Sequence, residues 1–429
     1  MKSFFALFLY RIIFLSLTPI ILVFFVVRSK NNPLYRQRLL ERLGFLPKNL
    51  IKNSIIVHAA SVGEVIAIKQ FVELLQKQYP QQTITITTFT PTGSIQVKKQ
   101  FKNTVQHCYL PLDNFISSSL FLSQLKPSAI IFMETELWPN LVAQAANKKI
   151  PLLLINGRLS AKSCHQYQKI SALITPCIQR LDYLLTQSDE HQKNFICLGA
   201  SQQKCSVSGN LKYDISINDD IAIKVSMLEQ FISKERIIWV VASTHAGDDE
   251  LILAAFKQIK QYFPELLLLL VPRHPERFDE VADLAVTQGF TLVRRSTKQK
   301  ITAQDDIWLL DSLGELVAAY SLANIVTMAG TFSHIGGHNP LEAALFKKPI
   351  VLGADMANFN EVLTQLKQAN AIIQLVSNEH ISDNLAKIIM QLLRDEKQQQ
   401  KLGENAYQVV IANQGASKRS LNKLIELID

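Results

Sequence analysis

The sequence predicts an α/β protein with two Rossmann-like domains that face each other across a cleft, preceded by a membrane-anchoring helix. Short β-branched runs alternate with helical stretches, this alternation occurs in two separate series, and one long apolar segment comes before both. Strands that are apolar at nearly every position are typical of parallel sheets covered by helices on both faces. The chain has 429 residues, of which 48% are hydrophobic and 19% charged, and this length exceeds what one core usually holds.

The first element is a predicted membrane anchor at residues 1–28. The chain is apolar from residue 4 to residue 27 except at Arg11, and six basic residues follow before residue 49. About 20 apolar residues cross a bilayer, and Arg11 and Pro19 leave open whether this helix spans the membrane or lies in its surface. A cleaved signal peptide and a buried first helix are the alternatives. No small-residue cleavage site follows the segment, and the basic residues favour a cytoplasmic location for the domains.

Two series of strands define the domains. We predict a first domain at residues 29–210, a linker at 211–222, a second domain at 223–405 and a final helix at 406–429 that packs back across both. The first series of strands is Ile55–Ala60, Thr83–Thr88, Gln106–Leu110, Ile130–Met133, Leu152–Ile155 and Tyr183–Thr186. The second series is Ile237–Ala242, Leu266–Val271, Phe290–Val293, Ile307–Leu310, Ile325–Met328, Ile350–Leu352 and Ile372–Leu375.

Charge and cysteine content narrow the class of function. The net charge of +9 indicates an anionic partner. Nucleic acid has little support, because no basic run is interleaved with aromatic residues, so an anionic membrane surface and a phosphorylated substrate remain. The five cysteines never form a CxxC pair, which argues against a disulfide framework or a zinc ribbon and favours a reducing compartment.

Candidate functional residues in the first domain lie in loops that follow strands, where ligands of open α/β sheets bind. Glu64, in the string Ser61-Val62-Gly63-Glu64, is a candidate general base. The alternative is an ordinary helix start, in which Ser61 caps the helix and Glu64 favours the positive end of its dipole. Glu134 and Glu136 follow another strand, and on an extended backbone they point to opposite sides, so that one of them reaches the cleft. Here too the alternative is dipole complementarity ahead of a helix.

In the second domain, residues 330–342 combine paired glycines, a helix start at Pro340 and a carboxylate, Glu342, in the first turns of that helix. This combination predicts a nucleotide pocket with a carboxylate placed for a ribose diol. Arg273 is a candidate phosphate ligand, with simple surface solvation as the alternative. The turn at Gly314 offers further backbone amides. No metal site is predicted, because two glycines separate the two histidines of residues 330–342 and no cysteine lies near.

Together these strings closely resemble the 3-deoxy-D-manno-octulosonic acid (Kdo) transferases, over essentially the whole chain. The strings in chain order are SVGE, TPTGS at residues 90–94, ETELWPN at 134–140, GRLS at 157–160, LKYD at 211–214, STH at 243–245, PRHPER at 272–277, GEL at 314–316 and GGHNPLEAA at 336–344. The resemblance implies a GT-B fold, CMP-Kdo as donor, a lipid IVA-type acceptor and inverting transfer without a metal or other cofactor. The basic residues that follow the N-terminal apolar segment further predict a place on the cytoplasmic side of the cell inner membrane.

The same resemblance implies roles for individual residues. Glu64 corresponds to the catalytic base, and Glu134 and Lys212 correspond to stabilisers of the transition state. The implied CMP-binding residues are Pro272, Arg273, Leu313, Gly314, Glu315, Asn339, Pro340, Leu341 and Glu342. Two other hypotheses stay open: a membrane-anchored glycosyltransferase that uses another nucleotide sugar, and a scaffold that binds a nucleotide sugar without turnover. The presence of all three catalytic candidates argues against the scaffold.

Overall fold

The computed structural model describes residues 2–30, 32–217 and 219–429. It divides into two compact units, the first formed by the chain up to Asp214 together with Asn413–Asp429, and the second by Ile215–Ala412. Each unit is built on one parallel sheet, so the predicted pair of Rossmann-like domains is confirmed.

The helices are Lys2–Arg28 (α1), Leu39–Arg42 (α2), Val62–Ala67 (α3), Lys69–Gln78 (α4), Pro91–Phe101 (α5), Phe115–Leu125 (α6), Pro139–Asn147 (α7), Ala161–Gln168 (α8), Ser171–Gln179 (α9), Asp189–Cys197 (α10), Asp219–Glu229 (α11), Asp248–Lys260 (α12), Phe278–Thr287 (α13), Leu316–Leu322 (α14), Leu341–Ala344 (α15), Asn360–Gln368 (α16), Ile381–Arg394 (α17), Glu396–Asn413 (α18) and Ala416–Ile428 (α19).

The first unit contains a seven-stranded sheet in the order β3-β2-β1-β4-β5-β6-β7. Its strands are Ile55–His58 (β1), Ile84–Thr88 (β2), Gln106–Tyr109 (β3), Ala129–Met133 (β4), Leu152–Gly157 (β5), Tyr183–Thr186 (β6) and Cys205–Val207 (β7). Strands β1 and β4 pair in the middle of the sheet and are buried along their whole length. Because β2 and β4 lie on opposite sides of β1, the strand order reverses between β1 and β4, and a crevice opens there at the carboxyl ends of the strands.

The second unit repeats this arrangement in the order β10-β11-β9-β8-β12-β13-β14. Its strands are Ile238–Thr244 (β8), Leu267–Pro272 (β9), Leu292–Arg294 (β10), Ile307–Leu309 (β11), Ile325–Met328 (β12), Ile350–Leu352 (β13) and Ile372–Gln374 (β14). Here the order reverses between β8 and β12, which pair in parallel along four residues from Trp239↔Ile325 to Ala242↔Met328. The second crevice therefore lies at the carboxyl ends of β8 and β12.

The junction between the units differs from the predicted linker at 211–222. Residues Leu211–Tyr213 form a short 3-10 helix whose Leu211 and Tyr213 side chains are buried in the first unit. The first residues of that segment therefore pack as part of a core. Asn218, also within the predicted linker, lies outside the described residues.

The carboxyl-terminal tail is two helices, where the sequence suggested one continuous helix at 406–429. The break falls at Gly415, whose φ of +96° suits a residue without a side chain. Asp214 accepts a hydrogen bond from the Gly415 N–H at 2.6 Å and another from the Ser417 N–H, and thus caps α19. Helix α19 contacts α4, so the chain ends within the first unit.

Helix α1 lies against the first unit through polar contacts along one side. Tyr10 donates a hydrogen bond from its hydroxyl to Asp113 at 2.9 Å, and Arg11 donates from Nε to Asn140 Oδ1 at 3.0 Å. Further along, Asn114 donates to the Thr18 hydroxyl at 3.2 Å. Asp113 is buried and also accepts the backbone N–H of Asn140, so the contacts of α1 reach the start of α7. Among the described residues, α1 is the one helix long and apolar enough to cross a membrane by length and composition.

Candidate active site

Glu64 is the first candidate residue of the first unit and lies in the first turn of α3, which follows β1. Its Oε2 accepts the Ala60 N–H at 2.6 Å, its Oε1 accepts the Ser61 hydroxyl at 3.1 Å, and the Ser61 Oγ accepts the Glu64 N–H at 3.4 Å. These contacts cap the start of α3, with Ser61 as its N-cap residue. The alternative of a plain helix start is therefore present in the structure. It does not exclude a chemical role, because a carboxylate has about four acceptor positions and two of them are used here.

Glu134 follows β4 directly, and its backbone turns there. Its φ of +54° lies in the left-handed region, which is uncommon for a residue other than glycine and often marks a functional site. The prediction that Glu134 and Glu136 lie on an extended backbone is wrong for this reason. Both carboxylates act on Glu64, since the negative charge of each raises the pKa of Glu64.

The environment of Glu64 favours its protonated form. Burial is the largest cause, and the charges of Glu134 and Glu136 add to it, so that the pKa of Glu64 rises to about 7. The Ala60 N–H and His58 oppose this shift. A carboxylate with a pKa near neutrality is a stronger base than an exposed one and is still ionised in part at neutral pH. The crevice between β1 and β4 thus holds a carboxylate suited to proton abstraction.

Sequence reasoning missed the partners of Glu136. The Glu136 Oε2 accepts the Trp138 indole N–H at 2.9 Å and lies 3.4 Å from His58 Nε2. His58 is fully buried at the end of β1, and its Nδ1 lies 2.9 Å from the Thr87 hydroxyl. Burial raises the pKa of Glu136, but the contacts with His58 and Trp138 outweigh it and lower that pKa overall. The available signal was a lone histidine at the end of an otherwise apolar strand.

We expect the catalytic pH profile to report on these carboxylates. If Glu64 is the base, kcat/KM falls as the pH drops below about 7, because protonated Glu64 cannot accept a proton. Glu136→Gln removes a negative charge that raises the pKa of Glu64, so the acidic limb moves to lower pH. Glu73→Gln, at an exposed position on α4, is the matched control and leaves the limb in place. Rates measured from pH 5 to 9 test this, and an unmoved limb in Glu136→Gln would contradict it.

Lys212 lies on the 3-10 helix that follows β7. The Leu211 N–H next to it donates to Asn156 Oδ1 at 3.0 Å, and Asn156 lies near the carboxyl end of β5, next to β4 in the sheet. Asn210 caps the short helix by accepting the Lys212 N–H at 3.0 Å. These contacts place the Lys212 backbone at the same edge of the sheet as Glu64 and Glu134.

In the second unit, Arg273, in the loop after β9, and Glu342, in the first turn of a short helix, both act electrostatically on one buried side chain. Arg273 follows β9, where Pro272 is the last residue of the strand, and its N–H donates to the Thr244 carbonyl at 3.0 Å. Tyr320 of α14 is fully buried, and burial raises the pKa of its hydroxyl. The charge of Glu342 adds to that rise and the charge of Arg273 opposes it. The structure thus brings these two predicted CMP-binding residues into one neighbourhood.

The predicted turn Leu313-Gly314-Glu315 begins α14. Gly314 has a φ of +82°, and Leu313 is 69% exposed. The Glu315 carboxylate accepts from Arg295 at 3.0 Å and from the Ser312 hydroxyl. Because Arg295 and Ser312 already bind the Glu315 carboxylate, the groups of this turn that suit a ligand are its backbone amides.

The segment around Asn339 forms the start of α15. Asn339 Oδ1 accepts the Leu341 N–H at 3.1 Å, and Pro340 is the cap residue of that helix. Glu342 lies in its first turn, as the sequence indicated. In the described part of the chain there is no group of three or more His, Cys, Asp or Glu side chains arranged to hold a metal ion.

The two parallel-sheet units, with candidate residues at the carboxyl ends of their central strands, have the fold of the GT-B class of glycosyltransferases. Sequence comparison agrees: residues 37–215 match the family described as 3-deoxy-D-manno-octulosonic-acid transferase, and residues 233–409 match glycosyl transferases group 1. The chain belongs to the Kdo transferase family. It is 40% identical over 419 residues to a 3-deoxy-D-manno-octulosonic acid transferase of Haemophilus influenzae, covering 97% of each chain.

More distant relatives agree with this placement. A 3-deoxy-D-manno-octulosonic acid transferase of Rickettsia bellii is 31% identical over 386 residues, covering 89% of this chain and 90% of its own. The crystal structure of UDP-GlcNAc 2-epimerase from Neisseria meningitidis has a TM-score of 0.56 at 14% identity, covering 87% of this chain and 100% of its own. That likeness concerns the fold alone.

Proposed function

We propose that the protein transfers Kdo from CMP-Kdo to a lipid IVA-type precursor of lipid A, with release of CMP and inversion at the anomeric carbon. The observation that carries the proposal is the Glu64 carboxylate, held at the crevice of the first unit with a pKa raised to about 7. Membership of the Kdo transferase family supports the identity of the transferred sugar.

Glu64 acts as the general base in this proposal. A sugar hydroxyl is barely acidic, so its attack on the anomeric carbon needs a group that takes its proton while the new C–O bond forms. Glu64 accepts that proton as the bond between the anomeric carbon and the CMP phosphate oxygen breaks. The electron pair of the broken bond stays with the phosphate, and CMP leaves.

Glu134 and Lys212 stabilise the transition state. The Lys212 ammonium group favours the negative charge that gathers on the departing phosphate, more than it favours the intact donor. Glu134 contributes a negative charge near Glu64, and this charge raises the pKa of Glu64 and makes it more basic. The same negative charge stabilises the positive charge that develops on the sugar ring in the transition state. The left-handed backbone at Glu134 supports this placement, because such strain persists where the surrounding structure fixes a side chain.

The second unit binds CMP. Arg273 provides a forked donor for phosphate oxygens, and the Gly314 turn and the start of α15 provide backbone amides. Glu342 and Arg273 both shift the pKa of the buried Tyr320. The Glu342 carboxylate accepts hydrogen bonds from the hydroxyls of the ribose. Pro272, Leu313, Asn339, Pro340 and Leu341 shape the walls of this site.

Conservative changes are expected to weaken CMP binding. Arg273→Lys keeps the charge but replaces a fork by a point charge, and Glu342→Gln keeps the shape but loses the stronger acceptor. We expect each to weaken CMP roughly five- to hundredfold, corresponding to about 1 to 3 kcal/mol. EDTA is expected to change nothing. Calorimetric titration of CMP with and without EDTA tests these statements, and loss of binding in EDTA, or unaltered affinity in both variants, would contradict them.

The proposed location is the cytoplasmic side of the inner membrane, with α1 lying in the membrane surface. The polar contacts to Asp113, Asn114 and Asn140 hold one side of α1 against the first unit. Apolar side chains point away from it, among them Phe5 at 64%, Ile12 at 48% and Val23 at 61% exposure. A helix with one apolar side toward lipid and basic residues after it suits an anionic surface, where an acylated acceptor also resides.

We expect charges on this apolar side to release the protein from membranes. The triple variant Phe5→Glu, Ile12→Glu and Val23→Glu keeps the contacts of α1 with Asp113, Asn114 and Asn140, but places three carboxylates where lipid is proposed. This variant should no longer float with vesicles of phosphatidylethanolamine and phosphatidylglycerol. The matched control, with glutamate at the exposed positions Ile223, Val286 and Val376 of the second unit, should still float. Equal flotation of both triple variants would contradict the proposal.

One reaction tests the proposed function as a whole. The purified protein is incubated with CMP-Kdo and lipid IVA in detergent, and the lipid product is measured by mass spectrometry. We expect a gain of one or more Kdo units and release of CMP. Parallel reactions with UDP- and ADP-sugars test the other nucleotide-sugar hypothesis, and absence of turnover with every donor would favour the scaffold.

A further inference from the structure

Two histidines meet at the crevice of the second unit, and no role described above uses them. His245 follows β8, and His338 lies in the loop that follows β12, so they come from the two strands between which the order reverses. Their Nε2 atoms are 2.9 Å apart, and their rings are nearly parallel, at 8° with centroids 5.1 Å apart. A contact of this length joins the N–H of one ring to the bare nitrogen of the other.

The backbone around this histidine pair is built to hold it. A Cβ atom on Gly330 would lie 2.8 Å from His338 Cδ2 and 3.4 Å from His245 Cδ2, so both rings occupy the space that this glycine leaves. Asp248 is fully buried, and its Oδ2 accepts the N–H of His245 at 2.9 Å and that of Gly330 at 2.8 Å. One carboxylate therefore ties the two loops that carry the pair.

The charges that face the pair are mostly positive. Burial and the positive charges around it, Arg273 foremost, lower the pKa of His338 to about 4, and burial lowers that of His245, with His274, Arg273 and Arg277 in support. Asp248 opposes the shift at His245. Arg277 is paired with Asp249 at 2.7 Å. Arg273, whose charge is the largest electrostatic influence on the pKa of His338, is the candidate partner for one of the two negative charges of the ligand.

We propose that the His245–His338 pair binds the carboxylate of the donor sugar and takes up one proton as it does so. The inference rests on CMP-Kdo as the donor. In an ulosonic acid the carboxylate and the phosphate oxygen are attached to the same anomeric carbon, so a carboxylate site must lie beside the phosphate site, as the pair lies beside Arg273. In the neutral pair the two Nε2 atoms share one hydrogen bond, so only one of the two Nδ1 atoms carries a proton and can donate to a ligand. In the protonated pair both Nδ1 atoms carry a proton and both can donate. Protonation thus makes it a charged donor that matches the second anion.

Calorimetry separates the carboxylate from the phosphate. CMP and CMP-Kdo are titrated at pH 7.5 into the full-length protein and into His338→Gln, in two buffers of different ionisation enthalpy. CMP-Kdo has no group that titrates near this pH, so proton uptake reports on the protein. We expect wild type to take up a measurable fraction of a proton with CMP-Kdo, because the pKa of His338 is about 4 in the free protein and rises when a carboxylate binds beside it. His338→Gln should lose that uptake and weaken CMP-Kdo about tenfold or more, with CMP affected less than about twofold. His334→Asn, at an exposed position in the same loop, is the matched control and should behave as wild type.

Each other result overturns the assignment in a distinct way. Equal weakening of CMP and CMP-Kdo in His338→Gln would place the pair on the phosphate, or would reflect a general disturbance of the pocket. Unchanged CMP-Kdo affinity, or no proton uptake in wild type, would remove the pair from the donor site while leaving the proposed function intact. Failure of wild type to bind CMP-Kdo at all would overturn the proposed donor and, with it, this inference.

Discussion

Replacement of Glu64 by glutamine is expected to lower kcat by about a hundredfold or more, the usual scale for loss of a general base. Glutamine can still accept the Ala60 N–H through its amide oxygen, and its amide NH2 can donate to the Ser61 hydroxyl. The start of α3 should therefore remain folded. The change therefore separates the proposed proton transfer from helix capping, which the contacts of this carboxylate show.

Steady-state rates with CMP-Kdo and lipid IVA, together with CMP binding and thermal unfolding, measure the effect of Glu64→Gln. CMP affinity and Tm should match wild type, because the change lies in the first unit and preserves the cap. Glu73→Gln on α4 supplies the same change of charge at an exposed position and should keep full activity. A rate for Glu64→Gln within a fewfold of wild type would assign Glu64 to helix capping alone.

Replacement of Lys212 by methionine is the second change with a large expected effect. Methionine keeps the apolar stem and removes the ammonium group, so it tests the charge rather than the packing. We expect kcat to fall by about a hundred- to a thousandfold, as for removal of other electrostatic stabilisers of a transition state, with KM for the donor changed little. Lys204→Met, at an exposed position just before β7, is the matched control. A rise in KM at unchanged kcat would instead make Lys212 a ground-state ligand.

Most strands could be predicted from the sequence, because a buried parallel strand is a continuous apolar run. β6, β12 and β13 have the predicted bounds, and the others differ by a few residues at their ends. Strand β7 was missed because it has only three residues at the edge of the sheet and lies between polar segments. Residues 62–78 form two helices that break at Ile68, and the local periodicity of the sequence does not indicate that break.

The candidate site was predictable only in part. Glu64 and Arg273 follow strands, so parallel-sheet topology was enough to single them out. The role of Lys212 depended on the family resemblance. The pairs His58–Glu136 and His245–His338 join residues 78 and 93 positions apart, and no local pattern indicates such contacts. The turn at Glu134 was misread because a positive φ at a glutamate runs against local preference and is imposed by the surrounding fold.

The stereochemistry of the product tests the central claim most directly. If the acceptor hydroxyl, with its proton taken by Glu64, displaces CMP in one step, the Kdo unit must have the anomeric configuration opposite to that of the donor. NMR spectroscopy of the lipid product formed by the wild-type protein from CMP-Kdo and lipid IVA measures that configuration. We expect inversion in every Kdo unit transferred. Retention would require a route other than a single direct displacement, such as two successive displacements through a covalent intermediate, and would contradict the direct attack of the acceptor hydroxyl on CMP-Kdo.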